Sequence, residues 1–511
     1  MMRQYEMFEL NYEASAPVKS EVDVNLTATF KINGHETKVY GFYAGNRQYK
    51  IRFYPRNIGE YSYTVQGIIK DSGEIDCKPA DVSSHGMVRA KGTHFQTDDQ
   101  KWFYPFGTTV YALAHQKEEL IDQTFESLKD APFNKIRTCV FPKHYQYNHN
   151  DPQWFPFKKH QNKWAVNHPN WPFWNHLDQI VEHLGKLDIQ CDLILLHPYD
   201  CWGFSNLSKE QVLTYFNYVM RRYAAYPNIW WSLANEYDLL KYTKDDWLSF
   251  ANYVSQHDPY HHLLSNHQMV IAWDFDNQET THICVQIKDV DFISRDIVRY
   301  KKPMMVDECC YEGNLPDEWG NLSAFEMVDR FWKVCLQGGY CTHGETFLDP
   351  NDIIWWAKGG KLKGHSISRI AFLKRIIDQL PGPLTFAGED FDEQSFHELQ
   401  KKMSTGKDAV SPFVQFLCSL SWLDAQKLIN TNRQFIGRCK DDQVIVQYYS
   451  RHCTAQGTIK LPADKKYAID VIDVWKKTRR HVIDNVSGDV TVALPGKEGM
   501  AIIATQEAIE G

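Results

Sequence analysis

The sequence predicts an α/β protein: a (β/α)8 TIM barrel flanked by N-terminal and C-terminal antiparallel β-sandwich domains. Three observations predict it. Strand-like and helix-like segments alternate across residues 91–400, the rhythm of a parallel barrel. Residues 1–90 hold short strands of alternating polarity separated by turns, the pattern of a small antiparallel sandwich. The same pattern returns across residues 401–511. A chain of 511 residues is also long enough for two or three domains.

In the first domain, Val22–Phe30 alternates apolar and polar residues and ends in a turn at Asn33-Gly34. Gln48–Pro55 and Gly59–Val65 continue the alternation. In the barrel the expected strands are Trp102–Tyr111, Lys135–Phe141, Cys191–His197, Asn228–Ala234, Leu263–His267, His282–Gln286, a run ending at Glu308, and Gly338–Thr342. Helices are expected over Glu118–Leu128, Trp174–Leu187, Lys209–Tyr226 and Ile367–Leu380. In the last domain, strands are expected around Gln434–Gly437, Val444–Tyr449, Ala468–Val474 and Val490–Leu494.

The formal charge of −8 is not accompanied by any basic stretch, which argues against a nucleic-acid partner. The start, Met1 to Met7, has no apolar run after Arg3, and no segment approaches the ~20 apolar residues of a membrane span. A cytoplasmic protein without a membrane partner is therefore expected. The twelve cysteines are scattered and read as buried free thiols; a vicinal Cys309-Cys310 disulfide is a minor alternative. There is no zinc-like Cys/His spacing, so neither a metal nor another cofactor is expected. The oligomeric state is open, and flanking sandwiches are compatible with a homo-oligomer.

Two strand ends carry the chemistry. Trp230-Trp231-Ser232-Leu233-Ala234 runs into Asn235-Glu236, and Pro303-Met304-Met305-Val306 runs into Asp307-Glu308. Barrel active sites lie at the C-terminal ends of the strands, so Glu236 and Glu308 should converge over the barrel centre. Two such carboxylates, one protonated and one ionised, are what glycoside hydrolysis requires. Tyr111, Arg137, His197, His267, Gln286 and Glu345 occupy comparable strand ends and read as substrate-binding residues. Trp202, on the strand-three loop, and the ten aromatic residues between Phe141 and Trp174 lie on the same face. Most of these aromatics are expected to pack on one another, with one or two forming sugar-stacking walls. Arg137 could hold a catalytic carboxylate ionised. Asp238 and Asp307 read as rim or supporting charges.

These strand ends resemble clan A of the glycoside hydrolases, the retaining (β/α)8 enzymes. The resemblance implies that Glu236 is the acid/base, Asn235 the ligand of the sugar 2-hydroxyl and Glu308 the nucleophile. The whole chain also resembles a bacterial group of uncharacterised glycosidases with a leading immunoglobulin-like domain, an apiosidase-like barrel and a trailing sandwich. The matching stretches are Tyr49–Phe53 with Gly59-Glu60-Tyr61, Tyr226–Trp230 leading to Asn235-Glu236, Asp258–Leu263, and Lys302-Pro303 leading to Glu308. There are departures. Clan members often place a Tyr at the end of strand six and a Trp at the end of strand eight. Here Gln286 and the run Thr342–Phe347 occupy those places. Apiosidase-like barrels end strand four in a Gly-Gly-Asp type motif rather than Ala-Asn-Glu. Glu345 is an alternative nucleophile if the strand count is shifted. The resemblance implies an exo-acting, retaining glycosidase that removes a terminal β-linked sugar, with apiosyl, xylosyl and arabinosyl among the candidates. The competing readings are a non-catalytic carbohydrate-binding barrel and, more weakly, a metal-dependent barrel hydrolase.

Overall fold

The computed structural model describes residues 2–388, 393–404, 411–429 and 434–507. The chain forms two compact units, one of Met1–Val334 with Gly339–Asp378 and one of Cys335–Gly338 with Gln379–Gly511.

The first unit opens with two facing sheets. One has the strand order Met2–Arg3, Asp71–Lys78, Gly59–Gly67, Leu26–Ile32, His35–Tyr40, and the other Phe8–Glu13, Gln48–Phe53, Phe42–Gly45. The inward positions of the alternating strands meet between them, where Phe30 and Phe53 stack with ring centroids 3.9 Å apart. The hairpin between Leu26–Ile32 and His35–Tyr40 turns at Asn33 and Gly34, both at positive φ (49° and 79°), as a two-residue type I′ connection demands.

The barrel strands are β1 (Phe106–Thr109), β2 (Lys135–Cys139), β3 (Gln190–Leu196), β4 (Ile229–Ala234), β5 (Leu264–Ser265), β6 (Ile283–Gln286), β7 (Met304–Glu308) and β8 (Tyr340–His343). The parallel ladder runs β5-β4-β3-β2-β1-β8-β7-β6. Between its two edges, Leu264 and Thr281 exchange hydrogen bonds of 2.8 Å: the Thr281 N–H donates to the Leu264 carbonyl and the Leu264 N–H to the Thr281 hydroxyl. Helices α1 (Glu118–Asp130), α2 (Trp171–Lys186), α3 (Lys209–Tyr223) and α4 (Lys244–His257) follow the first four strands. Helices α5 (Ile293–Tyr300), α6 (Ala324–Leu336) and α7 (Ile367–Asp378) follow β6, β7 and β8. A loop replaces the helix between β5 and β6.

The expected first strand, Trp102–Tyr111, is two elements. Trp102–Phe103 joins a small sheet with Val88–Lys91 and His94–Thr97, and only Phe106–Thr109 enters the barrel. Pro105 separates them, since it can donate no ladder hydrogen bond and restricts Tyr104 before it. The small sheet places Phe95 against Trp230, Met305 and Tyr340 at the N-terminal end of the barrel. A buried ion cluster ties sandwich to barrel: Arg52 reaches Asp178 of α2 at 2.6 Å, and Arg222 of α3 grips the same carboxylate at 2.8–2.9 Å.

In the second unit, six strands pair in the order Leu384–Phe386, Phe435–Cys439, Val444–Tyr448, Met500–Gln506, Tyr467–Asp473, Thr478–Val486. The pair Gln456–Lys460 and Asp489–Ala493 packs Ile459 and Val492 onto Ile445, Ile469 and Ile502. Helices Glu393–Ser404, Pro412–Ser419 and Trp422–Ile429 precede this sandwich and correct the all-β reading after residue 401. Phe396, Leu417 and Ala425 form their shared apolar contact. No helix among the described residues is long and apolar enough to cross a membrane. All twelve cysteines are free, Cys309 and Cys310 included.

Candidate active site

Strands β1, β2, β4 and β7 bring Tyr111, Arg137, Asn235, Glu236 and Glu308 together at the C-terminal mouth. The Glu308 carboxylate lies among donors. Its Oε1 accepts from the Tyr111 hydroxyl, from Arg137 Nη1 at 3.3 Å, and faces His267 Nε2 at 3.3 Å. Its Oε2 accepts from the Tyr311 hydroxyl at 2.5 Å. Burial alone would raise this carboxyl. His267, the Arg137 guanidinium and the Tyr111 hydroxyl outweigh it and hold Glu308 well below the usual carboxylate range.

Glu236 is pushed the opposite way. Burial and the charge of Glu308 raise its pKa, against the opposing influence of Lys143 and a hydrogen bond with Tyr199. Its Oε2 has no hydrogen-bond partner among the described residues. The residue holds φ 52° and ψ 57°, left-handed backbone that costs a non-glycine residue about 1–3 kcal/mol. This conformation turns the chain out of β4 and is fixed from both sides: the Asn235 N–H donates to the Leu196 carbonyl and the Tyr237 N–H to the His267 carbonyl, each at 2.9 Å. Asp238 then accepts the N–H groups of Met269, Val270 and Ile271 at 2.7–2.8 Å, which fastens the β5 loop beside the site.

Asn235 Oδ1 accepts from Arg137 at 3.1 Å and lies 2.9 Å from the Tyr111 hydroxyl, whose one proton goes to Glu308, so among the described residues the Asn235 amide nitrogen is the group left for a ligand. Gln286 Oε1 lies 3.1 Å from His267 Nε2 and orients that ring. Below, Asp307 accepts from Lys135 at 2.8 Å, from Thr342 at 2.6 Å and from the Cys284 thiol at 3.0 Å.

Other expected residues stand apart from the two carboxylates. His197 is buried and 3.1 Å from the Phe141 carbonyl; burial, with Lys143 nearby, depresses it to about 3. Trp202 belongs to the aromatic loop cluster: its carbonyl accepts from the Trp164 indole at 2.8 Å and its own indole donates to Asp151 at 3.0 Å. Phe155, Trp164 and Phe204 pack in the same cluster, so much of the strand-two loop packs on itself. Glu345 turns away from the pair. Its oxygens accept the N–H groups of Lys363 at 2.5 Å and Gly364 at 2.8 Å, while neighbouring Glu312 accepts those of His365 and Ser366. Burial, with Glu312 beside it, raises Glu345 to about 7. Glu312, His343 and Glu345 could each offer a metal-ligand atom within 4.8 Å of the others. The four backbone bonds already engage both carboxylates in fastening the loop before α7.

Four residues of the mouth escaped the sequence reading. Tyr311 reaches back to Glu308 because Cys310 takes a left-handed turn (φ 68°). It supplies from beyond β7 the tyrosine that Gln286 does not supply from β6. Trp356, in the one-turn helix Trp355–Lys358 after β8, packs against Tyr111, Tyr145, Tyr147 and Tyr311 at 5.1–5.9 Å. Tyr199 and Lys143 complete the wall around Glu236.

The arrangement pairs a carboxyl held protonated beyond the usual range with one held ionised, over a mouth walled by aromatic rings. The apiosidase-like catalytic domain family matches residues 89–381. Two domains of unknown function, DUF5060 and DUF5605, match residues 1–67 and 433–505. No curated protein matches the chain. A candidate glycoside hydrolase from Bacteroides vulgatus ATCC 8482 superposes with a TM-score of 0.86 at 30% identity, over 99% of each chain. A family 5 glycoside hydrolase from the same organism shares the fold, with a TM-score of 0.59 at 14% identity, over 82% of this chain and 94% of that one. The Ala-Asn-Glu ending of β4 does not remove the chain from the family. With the family match spanning more than half its length, the chain belongs to the apiosidase-like family and is a glycoside hydrolase.

Proposed function

We propose that the chain is a retaining exo-glycosidase that releases a terminal β-linked sugar, with pentosyl groups (apiosyl, xylosyl, arabinosyl) as the favoured class. The observation that carries this reading is the opposite displacement of two neighbouring carboxyls, Glu236 upward and Glu308 downward. Environments that push two carboxyls apart assign acid and base roles. Glu236 protonates the leaving oxygen as general acid. Glu308 attacks the anomeric carbon, forming a glycosyl ester as the C–O bond to the leaving group breaks. Glu236, now ionised, takes a proton from water, whose oxygen displaces Glu308 and frees the sugar. Asn235 donates to the 2-hydroxyl. Arg137, Tyr111, Tyr311 and His267 keep Glu308 ionised and aimed.

Burial of both carboxyls, only 5% and 3% exposed, favours a pocket for a chain end over an open cleft. The walls formed by Tyr111, Tyr145, Tyr199 and Trp356 favour a small ring, and the family's name places apiosyl among the candidates.

The test is hydrolysis of aryl β-apioside, β-xyloside, α-arabinofuranoside, β-glucoside and β-galactoside by the wild type and by Glu308→Ala with azide. Turnover of one member, lost in the variant and restored as the glycosyl azide, supports the reading. Turnover untouched by the substitution removes Glu308 from the mechanism. Sugar binding without turnover favours a carbohydrate-binding barrel instead.

A further inference from the structure

The mouth holds a cation that the two-carboxylate chemistry does not use. Lys143 lies on the loop after β2 and is 2% exposed. Its Nζ sits 3.4 Å from the ring centroid of Tyr111, 4.4 Å from that of Tyr199, 4.8 Å from that of Tyr145 and 5.9 Å from that of Trp356. An ammonium carries three donors, and the contacts of Nζ among the described residues are with these ring faces. Ring faces return part of the hydration lost, but they accept no conventional hydrogen bond from the three N–H groups. Burial accordingly lowers the Lys143 pKa, against the pull of Glu236 and Glu308.

Three polar atoms on this wall are buried without a hydrogen-bond partner among the described residues: the Tyr145 hydroxyl, Trp356 Nε1 and Glu236 Oε2. Here donor-only groups (Lys143, Trp356) share a wall with groups that can also accept (Tyr145, Glu236). Adjacent ring hydroxyls, each able to donate and accept, complement such a mixture.

We propose that Lys143 is a further substrate-binding residue, whose ammonium donates hydrogen bonds to hydroxyl oxygens of the sugar held beside Glu236 and Glu308. This rests on the glycosidase reading and extends it: Tyr145 and Trp356 bind the same sugar, and the hydroxyl pattern facing Lys143 sets which sugar is accepted. A lysine serving only to fill the box would be replaceable by an uncharged chain of similar length.

The experiment compares wild type with Lys143→Met, using KM and kcat on the aryl glycoside that wild type hydrolyses. Calorimetric titration of free D-apiose, D-xylose, L-arabinose, D-glucose and D-galactose runs in parallel. A hydrogen bond from a charged donor predicts a KM and a sugar Kd roughly tenfold to a hundredfold weaker, with a melting temperature equal to or above that of wild type. Lys143→Arg does not restore affinity, because a planar fork does not fit a point-charge site. Trp356→Phe keeps the ring and removes the N–H; it weakens sugar binding several-fold and decides the matter if Lys143→Met does not fold. KM and Kd within twofold of wild type in Lys143→Met, or wild type binding none of these sugars, overturn the proposal. Binding that depends on Lys143 in a protein whose turnover survives Glu308→Ala upholds it while removing the Glu308 mechanism.

Discussion

Tyr311→Phe isolates one hydrogen bond at the carboxylate on which the chemistry turns. Among the described residues, Oε1 of Glu308 is engaged by Tyr111, Arg137 and His267, whereas Oε2 has Tyr311 as its donor at 2.5 Å. The phenylalanine ring keeps the contact with Trp356, whose centroid is 5.3 Å away, so the change removes an O–H and little else. A hydrogen bond to an ionised group contributes about 1.5–3 kcal/mol. At about 1.4 kcal/mol per pH unit, its loss raises the Glu308 pKa by about one to two pH units. The sign follows from the direction of the wild-type displacement: Glu308 is held below its ordinary 4.5, so the active ionised form persists well into acid. Losing a donor brings its titration back toward neutrality. The acid limb of kcat/KM, which reports the free enzyme's essential base, moves up by that amount, while the alkaline limb stays in place. At pH 7 Glu308 remains ionised, and the remaining loss, roughly tenfold to a hundredfold, reflects poorer aim. The assay is a kcat/KM profile on the aryl glycoside that wild type hydrolyses, carried far enough into acid to bracket the acid limb of both proteins. An acid limb that does not move, or an alkaline limb that moves instead, refutes the reasoning.

Glu236→Gln is expected to lower kcat/KM about 10²–10⁴-fold for substrates with poor leaving groups, much less for activated aryl glycosides, and to abolish the alkaline limb; equal losses on both substrate types would count against Glu236 as the acid. Gly344→Ala would place a Cβ 2.0 Å from Tyr311 Cδ1, so the ring must move off Glu308; the acid limb should shift as in Tyr311→Phe, with a further loss of about 1–3 kcal/mol in stability from overpacking, read by denaturant melts. Asp178→Asn leaves Arg52 and Arg222 facing a neutral amide and should cost about 3–5 kcal/mol. In wild type, burial opposes ionisation of Asp178, but Arg222 and Arg52 prevail and bring it from 3.8 to about 2, worth on the order of 2–3 kcal/mol. Because the folded pKa lies below the unfolded one, that stability is present above pH 3.8 and lost as pH falls toward 2. Melts at pH 7 and pH 3 should therefore differ less in the variant than in wild type.

The barrel was legible where its strands are fully buried. The runs ending at Leu196, Ala234 and Glu308 are uninterrupted by turn residues, and a parallel strand covered on both faces has that signature. Asn235-Glu236 and Asp307-Glu308 stand out for the same reason, since those buried runs end in polar residues there. The reading blurred where local pattern is not what decides. A strand as short as β5 has no period to detect, and Pro105 divides a segment that looks continuous in hydrophobicity. Tyr311 depends on a left-handed Cys310 and on the bare Cα of Gly344, and neither is announced by residue type. Lys143 lies in a loop and Trp356 in a one-turn helix, and both owe their place to rings drawn from several separate segments. Glu345 was read into the mouth from its distance to β8, whereas its carboxylate is claimed by the backbone of residues 363–364. The helices between residues 393 and 429 span only eight to twelve residues each, too short a run to outweigh the strands that follow them.

Beneath the mouth, the barrel interior departs from the branched aliphatic layers usual in this fold. Lys135 on β2 lies between Asp192 of β3 at 2.6 Å and Asp307 of β7 at 2.8 Å, all at most 1% exposed. Two residues further along β2, Arg137 points the same way, as the period of a strand requires. Its Nη1 reaches Glu308 at 3.3 Å, while its Nε is 3.9 Å from Asp192. A buried ion network of this kind adds little net stability over apolar packing, so stability is a weak reason for it. Its electrostatic consequence is specific. With Lys135 engaging both aspartates, Arg137 need not compensate them alone and can lean toward Glu308. Asp307 is fixed by Lys135, Thr342 and the Cys284 thiol, and Cys284 in turn lies 3.3 Å from Nδ1 of His267, whose Nε2 faces Glu308. The charge of Glu308 is thus set from below by a chain of buried groups, and that of Glu236 by burial and Glu308 itself, opposed by Lys143 and Tyr199. The two carboxyls differ because they titrate against different layers of the same barrel.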